Sequence, residues 1–213
     1  DQNTGDIKYN FYHTLNYKGI SDTLSIDPTI NYKIQVHTLP EVIKRDINIV
    51  TGQHNHIPIE TPQGTIELKL IDGKMRSLEF IVREEEECEI INVQSFKDKV
   101  KYLVGTYDVE ILTLPRIKMV VDVEQSENSI IKVPAPGLIT FKNPGVGFGS
   151  VYSKAEDKLQ LIYSFNPKSI SQSVKLQPGN YTYVYRGESS DRAFYTVEKD
   201  FTIKSGKSTI LQL

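Results

Sequence analysis

The stretch that decides the fold occurs three times in the chain, as Tyr32-Lys33-Ile34-Gln35-Val36, Tyr107-Asp108-Val109-Glu110-Ile111 and Tyr181-Thr182-Tyr183-Val184-Tyr185. Each copy begins with tyrosine and has an apolar or aromatic residue at every second position. This alternation is typical of a β-strand with one buried face. The three tyrosines follow one another at intervals of 75 and 74 residues. The regular interval indicates a tandem repeat.

A second marker repeats with nearly the same period. Its form is Gly, any residue, Ile, any residue, then an aromatic residue or Leu, and it occurs as Gly5-Asp6-Ile7-Lys8-Tyr9, Gly64-Thr65-Ile66-Glu67-Leu68 and Gly137-Leu138-Ile139-Thr140-Phe141. The last two glycines are 73 residues apart. The stretch from this glycine to the tyrosine of the first marker is 27 residues in the first copy and 43 in the second. We therefore expect the first unit to be the more compact of the two.

Further matching segments complete the unit. His37-Thr38-Leu39-Pro40 in the first copy corresponds to Leu112-Thr113-Leu114-Pro115 in the second. Apolar segments then close each copy, at 47–52 with 57–59, at 121–124 with 131–133, and at 201–206 with 210–213. Each copy ends where the next begins, which predicts three units at 1–60, 61–134 and 135–213.

The fold class follows from the strands and the turns between them. Turn-forming residues separate the strands, at Asp72-Gly73, Asn143-Pro144-Gly145, Gln177-Pro178-Gly179-Asn180 and Ser205-Gly206-Lys207. Glycine supplies positive φ in such turns, and proline sets φ near about −65°. Helical spacing is nowhere sustained, and short strands at these intervals are typical of sandwiches. We predict an all-β chain of about three tandem small antiparallel β-sandwiches.

The joints between the units are predicted to be stiff. A unit of this size is marginally stable alone, and the linkers contain proline, at Pro62 and Pro136, without a flexible Gly/Ser tract. We expect Leu39, Leu114 and Ile59, which lie near the joints, to pack partly against the neighbouring unit. An extended molecule with limited bending would result.

The amino-acid composition limits the classes of partner that the chain could bind. With 24% charged and 38% hydrophobic residues, the chain has enough apolar material to fold. Its 25 Lys and Arg are spread along the chain and nearly balance 27 Asp and Glu, for a net charge of −2. The chain therefore lacks the concentrated positive charge that binding to nucleic acid or to an anionic membrane surface requires. No apolar run approaches the roughly 18 residues of a membrane span, so we predict no membrane insertion.

The single cysteine, Cys88, excludes an internal disulfide and a thiolate zinc site, which need at least two. Acidic neighbours disfavour its thiolate, so we predict an inert strand residue. The chain begins with Asp1 rather than Met. We therefore expect that a leader or an upstream domain has been removed from it.

Two aromatic or imidazole patterns suggest sites but have simpler explanations. Tyr181, Tyr183 and Tyr185 share one strand face and could stack on a sugar ring, yet their counterparts in the other copies are core positions. His54 and His56 also share a strand face, with His37 as a third imidazole, but a tetrahedral metal site needs more ligands. We predict core tyrosines and a solvated histidine face.

Acidic and glycine-rich stretches are also interpreted structurally. The run Glu84-Glu85-Glu86-Glu87 predicts a charged hairpin tip, because adjacent strand residues point alternately to opposite sides. Asp1-Gln2-Asn3-Thr4-Gly5-Asp6 lacks the order and the twelfth-position Glu of a calcium loop, and Tyr12 stands there instead. Gly145-Val146-Gly147-Phe148-Gly149 opens no helix, so it predicts a bulged loop rather than a phosphate cradle. We predict no catalytic, cofactor-binding or metal-ligating residue, and no cofactor.

The order of these markers resembles the carboxypeptidase regulatory-like, or prealbumin-like, β-sandwich. Leu176-Gln177-Pro178-Gly179-Asn180-Tyr181 stands where that family has its Pro-Gly-x-Tyr turn. The first copy departs from the pattern, with Asp27-Pro28-Thr29-Ile30-Asn31-Tyr32 and no glycine. The resemblance implies prealbumin-like or Ig-like sandwich units.

Nearly the whole chain resembles the region that follows the von Willebrand factor A domain in exported proteins of the Bacteroidetes, most specifically at residues 32–40, 107–116 and 176–186. In that family the A domain carries a metal-dependent adhesion loop, Asp-x-Ser-x-Ser. The nearest strings here, Ser21-Asp22-Thr23-Leu24-Ser25 and Ser189-Ser190-Asp191, lack its spacing. The resemblance implies an exported scaffold, periplasmic or at the cell surface, whose binding head is missing from this chain.

The predicted function is that of a non-enzymatic structural or adhesion scaffold, a stalk or spacer in a cell-envelope protein. Its partner would be another protein or an upstream domain of the same parent chain. The alternative is a carbohydrate-binding accessory module that holds a glycan on the loops at 143–150 or 187–192.

Overall fold

The computed structural model describes residues 1–72, 77–155, 158–189 and 196–213. The chain divides into two compact units, Asp1–Pro62 and Gln63–Leu213. Regular structure in the described residues consists of β-strands alone. None of these residues belongs to a helix that is long and apolar enough to cross a membrane.

The described residues form sixteen strands. The unit Asp1–Pro62 has the antiparallel pair β1 (Ile34–Val36) and β2 (Val42–Lys44). The unit Gln63–Leu213 has β3 (Gln63–Leu70), β4 (Glu79–Glu84), β5 (Ile90–Ser95), β6 (Lys99–Leu103), β7 (Gly105–Ile111), β8 (Ile117–Val123), β9 (Asn128–Val133), β10 (Gly137–Lys142), β11 (Gly147–Ala155), β12 (Lys158–Ser164), β13 (Ser171–Leu176), β14 (Gly179–Gly187), β15 (Val197–Ile203) and β16 (Ser208–Gln212).

The unit Gln63–Leu213 contains two sandwiches with the same topology. In the β3–β9 sandwich a three-stranded sheet, β6-β3-β9, faces a four-stranded sheet, β5-β4-β7-β8. In the β10–β16 sandwich the corresponding orders are β13-β10-β16 and β12-β11-β14-β15. The prediction of an all-β chain of tandem β-sandwiches is confirmed. Pairing is antiparallel except between the first and last strands of each sandwich, β3 with β9 and β10 with β16, which are parallel.

Alternating residues of the facing sheets form the two cores. The β10–β16 core combines Ile139 and Phe141 of β10 with Tyr183 of β14 and Phe201 of β15. The Phe141 ring centroid lies 4.4 Å from that of Tyr183 and 5.5 Å from that of Phe201. Such aromatic clusters bury a large area per residue, which helps a sandwich of this size to fold.

The three marker tyrosines make the same hydrogen bond. The hydroxyl groups of Tyr32, Tyr107 and Tyr181 each donate to a backbone oxygen four or five residues upstream, at 2.9, 2.8 and 2.8 Å. This geometry, known from immunoglobulin folds as a tyrosine corner, secures the entry of the chain into the following strand. The three tyrosines thus share a hydrogen bond, but the prediction that each enters a buried strand holds only for Tyr107 and Tyr181, because Tyr32 precedes β1 and β1 is only half-buried. The unit boundaries at 60/61 and 134/135 stay a prediction.

The marker glycines of the two sandwiches are required by a close backbone approach. A Cβ atom at Gly137 would lie 2.6 Å from the Lys204 carbonyl oxygen, and one at Gly64 would clash with the Glu124 carbonyl oxygen. Both oxygens belong to the turn that precedes the parallel last strand. Gly5 meets no such neighbour but has a positive φ of 79°.

Two sequence-based predictions need correction, and a third falls partly outside the described residues. Cys88 is exposed in the connection between β4 and β5, so it is not a strand residue. Gly147 and Gly149 belong to β11, paired with β14, rather than to a bulged loop. Glycine is required there because a side chain would collide with the Tyr185 and Tyr183 hydroxyls. In the predicted Asp72-Gly73 turn, Gly73 lies outside the described residues.

Candidate functional site

The joint between the two sandwiches begins with the turn that follows β7. The Thr113 hydroxyl donates to the Pro115 oxygen at 2.6 Å, and the Thr113 N–H donates to the Ile111 oxygen at 2.8 Å. The matching turn in the first copy has the same two bonds, from Thr38 to Pro40 and Val36, at 2.6 and 2.8 Å. Both turns contain a cis bond before proline. The turn places the leucine that follows the threonine at the end of the sandwich.

Leu114 connects one sandwich to the next. Its side chain packs against the buried cluster of the β10–β16 sandwich, and its carbonyl oxygen accepts a hydrogen bond of 2.7 Å from the Gln177 N–H. The Gln177 carbonyl oxygen in turn accepts the Tyr181 hydroxyl bond. The expected burial of Leu114 against the next unit is confirmed, and the parallel expectations for Leu39 and Ile59 remain predictions.

The linker between the sandwiches is also held in place. Ala135, between two prolines, is 2% exposed. Its carbonyl oxygen accepts hydrogen bonds from the Ser205 hydroxyl at 3.0 Å and the Gly206 N–H at 3.3 Å. A buried, hydrogen-bonded linker with restricted φ angles cannot act as a free hinge.

Gln177 carries an unusual polar group at this joint. Its side chain is buried, yet neither its amide nitrogen nor its amide oxygen has a hydrogen-bond partner among the described residues. The equivalent residue in the β3–β9 sandwich is Leu103, whose carbonyl oxygen accepts the Tyr107 bond. From the sequence, Gln177 was interpreted only as part of a turn, although a polar residue at a position held by leucine in the other copy was an available signal.

A second candidate lies at one end of the β10–β16 sandwich, where a cleft of about 800 Å³ opens between two loops. Its lining includes Val146, Tyr185, Glu188, Lys199 and Leu213. The structure thus brings together the 143–150 and 187–192 loops that the sequence suggested for glycan binding, although 190–192 lie outside the described residues. The Lys199 ammonium group donates to the Gln212 oxygen at 2.8 Å.

The tyrosine stripe belongs to the core. Tyr181, Tyr183 and Tyr185 are all buried, so none presents a ring face to solvent. The Tyr183 and Tyr185 hydroxyls bind Asn143 Oδ1 and the Gly145 oxygen, at 2.9 and 2.8 Å. Burial raises the pKa of Tyr181 to about 12. These groups order the 143–146 loop from inside.

The histidines are not brought together as a metal site. His54 and His56 are exposed, and His37 Nδ1 lies 3.4 Å from Glu41 Oε1. Across the described ranges, no group of three or more His, Cys, Asp or Glu could hold a metal ion. The acidic run from Glu84 occupies the β4–β5 hairpin tip, as predicted.

A buried carboxylate on the outer face of the β3–β9 sandwich is engaged by two arginines. Glu110 accepts hydrogen bonds from Arg116 at 2.8 Å and from Arg83 at 3.1 Å. The bond from Arg116 holds the pKa of this carboxyl below its usual range, and that from Arg83 adds to the effect. At the equivalent positions of the first copy, Gln35 donates to Glu41 at 2.7 Å. The pair therefore fastens a strand to the turn after it in both copies.

Comparison with known proteins gives partial structural likenesses. No family model and no curated protein matches the chain. Among solved structures, the TIE protein of Bacillus anthracis is 16% identical over 72% of this chain and 33% of its own, with a TM-score of 0.28. A minor pilin of Streptococcus agalactiae is 13% identical over 72% of this chain and 94% of its own, with a TM-score of 0.37.

A third likeness is to the pilus adhesin SpaC of Lactobacillus rhamnosus GG, at 8% identity over 85% of this chain and 33% of that protein, with a TM-score of 0.20. The chain thus spans about a third of the first and third of these structures. At these identities the likeness concerns the fold alone.

Proposed function

We propose that this chain is a non-catalytic scaffold, a spacer that holds a partner domain at a distance within a larger exported protein. The observation that carries the proposal is the joint at Leu114, where a side chain of one sandwich packs against the buried cluster of the next. A spacer must keep its two ends at a fixed separation and orientation. Two sandwiches that share an apolar contact, a backbone hydrogen bond and a buried linker do so, because bending would expose the apolar contact.

The parent protein and its location belong to the same proposal. The three units at 1–60, 61–134 and 135–213 would be successive modules downstream of a von Willebrand factor A domain in an exported Bacteroidetes protein. The marker segments quoted above support this origin. The partner would then be that upstream domain or another protein at the periplasmic or outer cell surface.

Distance measurements between spin labels test the rigidity on which the spacer role depends. The single cysteine, Cys88, is exposed in the β3–β9 sandwich, and Ser171→Cys adds an exposed site on β13. Pulsed electron paramagnetic resonance should give one narrow distribution of distances between the labels at Cys88 and Ser171→Cys. Labels at Cys88 and Lys118→Cys, both in the β3–β9 sandwich, give the width due to the labels alone.

Leu114→Ala removes the side chain that joins the sandwiches and should broaden the distribution between Cys88 and Ser171→Cys only. A distribution that is already broad in the unchanged joint, compared with the pair in one sandwich, would contradict the spacer. So would a Leu114→Ala variant that remains as narrow as its parent.

Carbohydrate binding is the second candidate, favoured by the cleft at one end of the β10–β16 sandwich. The cleft combines apolar walls with a few polar groups, among them Lys199 and Glu188, as small-ligand sites do. A glycan array probes it. Binding of one sugar class that is lost in Lys199→Ala and kept in Lys101→Ala, an exposed lysine of β6, would support the cleft; no reproducible binding would exclude it.

A further inference from the structure

The unit Asp1–Pro62 has an incomplete counterpart of the four-stranded sheet. Its β1 and β2 pair in the register of β7 and β8, because the Val36–Val42 pair corresponds to the Ile111–Ile117 pair. In the β3–β9 sandwich β7 lies between β8 and β4, and in the β10–β16 sandwich β14 lies between β15 and β11. Within residues 1–62, all of which the structure describes, β1 has β2 on one side and no strand on the other.

The length of the first copy explains which part is absent. From the marker glycine to the marker tyrosine the three copies have 27, 43 and 44 residues. The difference of 16 or 17 residues matches the β4–β5 hairpin, which runs from residue 79 to residue 95. Residues 1–33, all of them described, form no strand and only one isolated bridge, between Leu15 and Ser21. Residues 1–33 therefore supply no counterpart of β4 beside β1, and none of β3, β5 or β6 either.

The apolar side chains of β1 are less buried than those of β7. In the β3–β9 sandwich Val109 and Ile111 of β7 are 1% and 0% exposed, whereas their counterparts Ile34 and Val36 of β1 are only half-buried. Apolar side chains elsewhere in this unit are exposed as well, including Ile7 at 82% and Phe11 at 59%. The apolar face of the unit is only partly covered.

Backbone groups on the same edge are also left open. In the β3–β9 sandwich the Leu112 N–H donates to the Glu79 oxygen at 2.9 Å. Its counterpart, the His37 N–H, has no backbone acceptor among residues 1–62. Because hydrogen bonds alternate along an antiparallel pair, the Gln35 N–H faces the same open side. An edge with unpaired N–H groups beside half-buried apolar side chains is suited to strand addition.

We propose that the free edge of β1 binds an extended segment of a partner polypeptide, which pairs antiparallel with it and takes the place of β4. The internal repeat specifies the segment. By the register of β4 on β7, apolar residues stand opposite Val36 and Ile34. Lys33 lies where Asp108 pairs with Arg83, so an acidic residue opposite it gives charge complementarity. The segment is apolar, any residue, apolar, acidic, and this binding does not depend on the spacer role.

A peptide based on β4 tests the proposal on the full chain. The probe is the sequence of Glu79–Glu84 with Arg83→Glu, and the unchanged sequence, which sets arginine against Lys33, is its control. In nuclear magnetic resonance titration, we expect the probe to shift the signals of residues 32–37 and to slow hydrogen exchange at Gln35 and His37. The control peptide should bind a few-fold more weakly, since like charges opposite one another destabilise a pair.

Two variants separate strand addition from other binding. Gln35→Pro removes the outward N–H, which β2 does not use, and should weaken the probe about tenfold, as expected for one lost hydrogen bond. Gln35→Ala keeps the N–H and removes only the side-chain bond to Glu41, so its affinity should stay near that of the parent chain.

Other outcomes overturn the proposal. These are no binding at millimolar peptide, signal shifts confined to the sandwiches of Gln63–Leu213, or equal affinity of Gln35→Pro and Gln35→Ala. Concentration-dependent self-association that shifts residues 32–37 without peptide would show that a second copy occupies the edge instead. Before each titration, unchanged nuclear magnetic resonance signals of residues outside 32–44 establish that the variant is correctly folded.

Discussion

At the scale of single residues, two buried glutamines have opposite environments. Gln94 makes three side-chain hydrogen bonds, donating to the Ile66 and Asp98 oxygens and accepting from Tyr102 at 2.8–2.9 Å. Gln177 makes none with the described residues. Burial of an amide without partners costs free energy, whereas a satisfied amide contributes to stability.

The contrast predicts opposite effects of the same substitution. Gln177→Leu should raise the free energy of unfolding by about 1–2 kcal/mol, because leucine occupies the equivalent position 103 and needs no partner. Gln94→Leu should lower it by about 1–3 kcal/mol, because three groups lose their bond. Urea unfolding measures both. A lower stability of Gln177→Leu would show that the amide is satisfied in solution.

The corner tyrosines predict a dependence on high pH. Burial raises the pKa of Tyr107 and of Tyr181 to about 12, against about 10 in an unfolded chain. Below pH 10 both states keep the proton, so stability is unaffected. Between pH 10 and 12 the unfolded state alone ionises, and the free energy of unfolding should fall by up to about 1.4 kcal/mol per pH unit for each tyrosine.

Urea midpoints at pH 8 and pH 11 measure this loss, and Tyr181→Phe provides the comparison. The variant should be less stable at pH 8, because the Gln177 carbonyl loses its donor, but should lose less stability on going to pH 11. An unchanged difference between the two pH values would show that Tyr181 is not responsible.

At the scale of the strands, a single glycine links the start of a sandwich to its end. Gly137→Ala would place a methyl group 2.6 Å from the Lys204 oxygen, so β10 and the turn before β16 would have to separate. We expect a loss of about 1–3 kcal/mol in the free energy of unfolding. Gly145→Ala is the control, since its Cβ meets nothing within 4 Å, and equal losses in calorimetry would contradict this explanation.

The strands show what local sequence can and cannot predict. The interval between tyrosines and the period-two alternation predict β7 and β14 because both signals lie within a few residues. The parallel pairing of β3 with β9 joins Thr65 to Asn128, and alternation carries no information about direction across such a separation. Gly149 has the composition of a loop, and its place in β11 depends on the Tyr183 ring, which is distant in sequence.

In the candidate sites, too, features set by neighbouring residues could be predicted, whereas features set by distant contacts could not. The turn at Leu114 could be predicted as a joint because Leu39 repeats it. The cleft could be predicted only as two separate loops, since their meeting depends on the antiparallel pairing of β11 with β14. The shorter first copy indicated in the sequence that part of the unit is missing. Identifying the missing part as the strand beside β1 required the topology of the complete sandwiches.

At the scale of the whole molecule, the unit Gln63–Leu213 should behave as one cooperative block. Leu114→Ala should uncouple its two sandwiches, because their shared apolar contact shrinks at a cost of about 2 kcal/mol. Hydrogen exchange of peptides from each sandwich, followed across a urea series, should give coincident midpoints in the parent chain and separate ones in the variant. Leu161→Ala, at an exposed position, should leave the midpoints coincident.

Separate midpoints in the parent chain would contradict the coupling, as would coincident midpoints in Leu114→Ala. The first copy enters neither comparison, since Asp1–Pro62 forms a unit of its own.

The parallel pairing of first and last strands has a mechanical consequence. Tension applied at the two ends of a sandwich pulls β10 and β16 in opposite directions along their common axis. The hydrogen bonds between them, from the Leu138–Ser208 pair to the Lys142–Gln212 pair, are then loaded together in shear rather than opened one after another. A sandwich under such tension unfolds only when all of these hydrogen bonds break together. The parallel pairing of β3 with β9 gives the other sandwich the same arrangement.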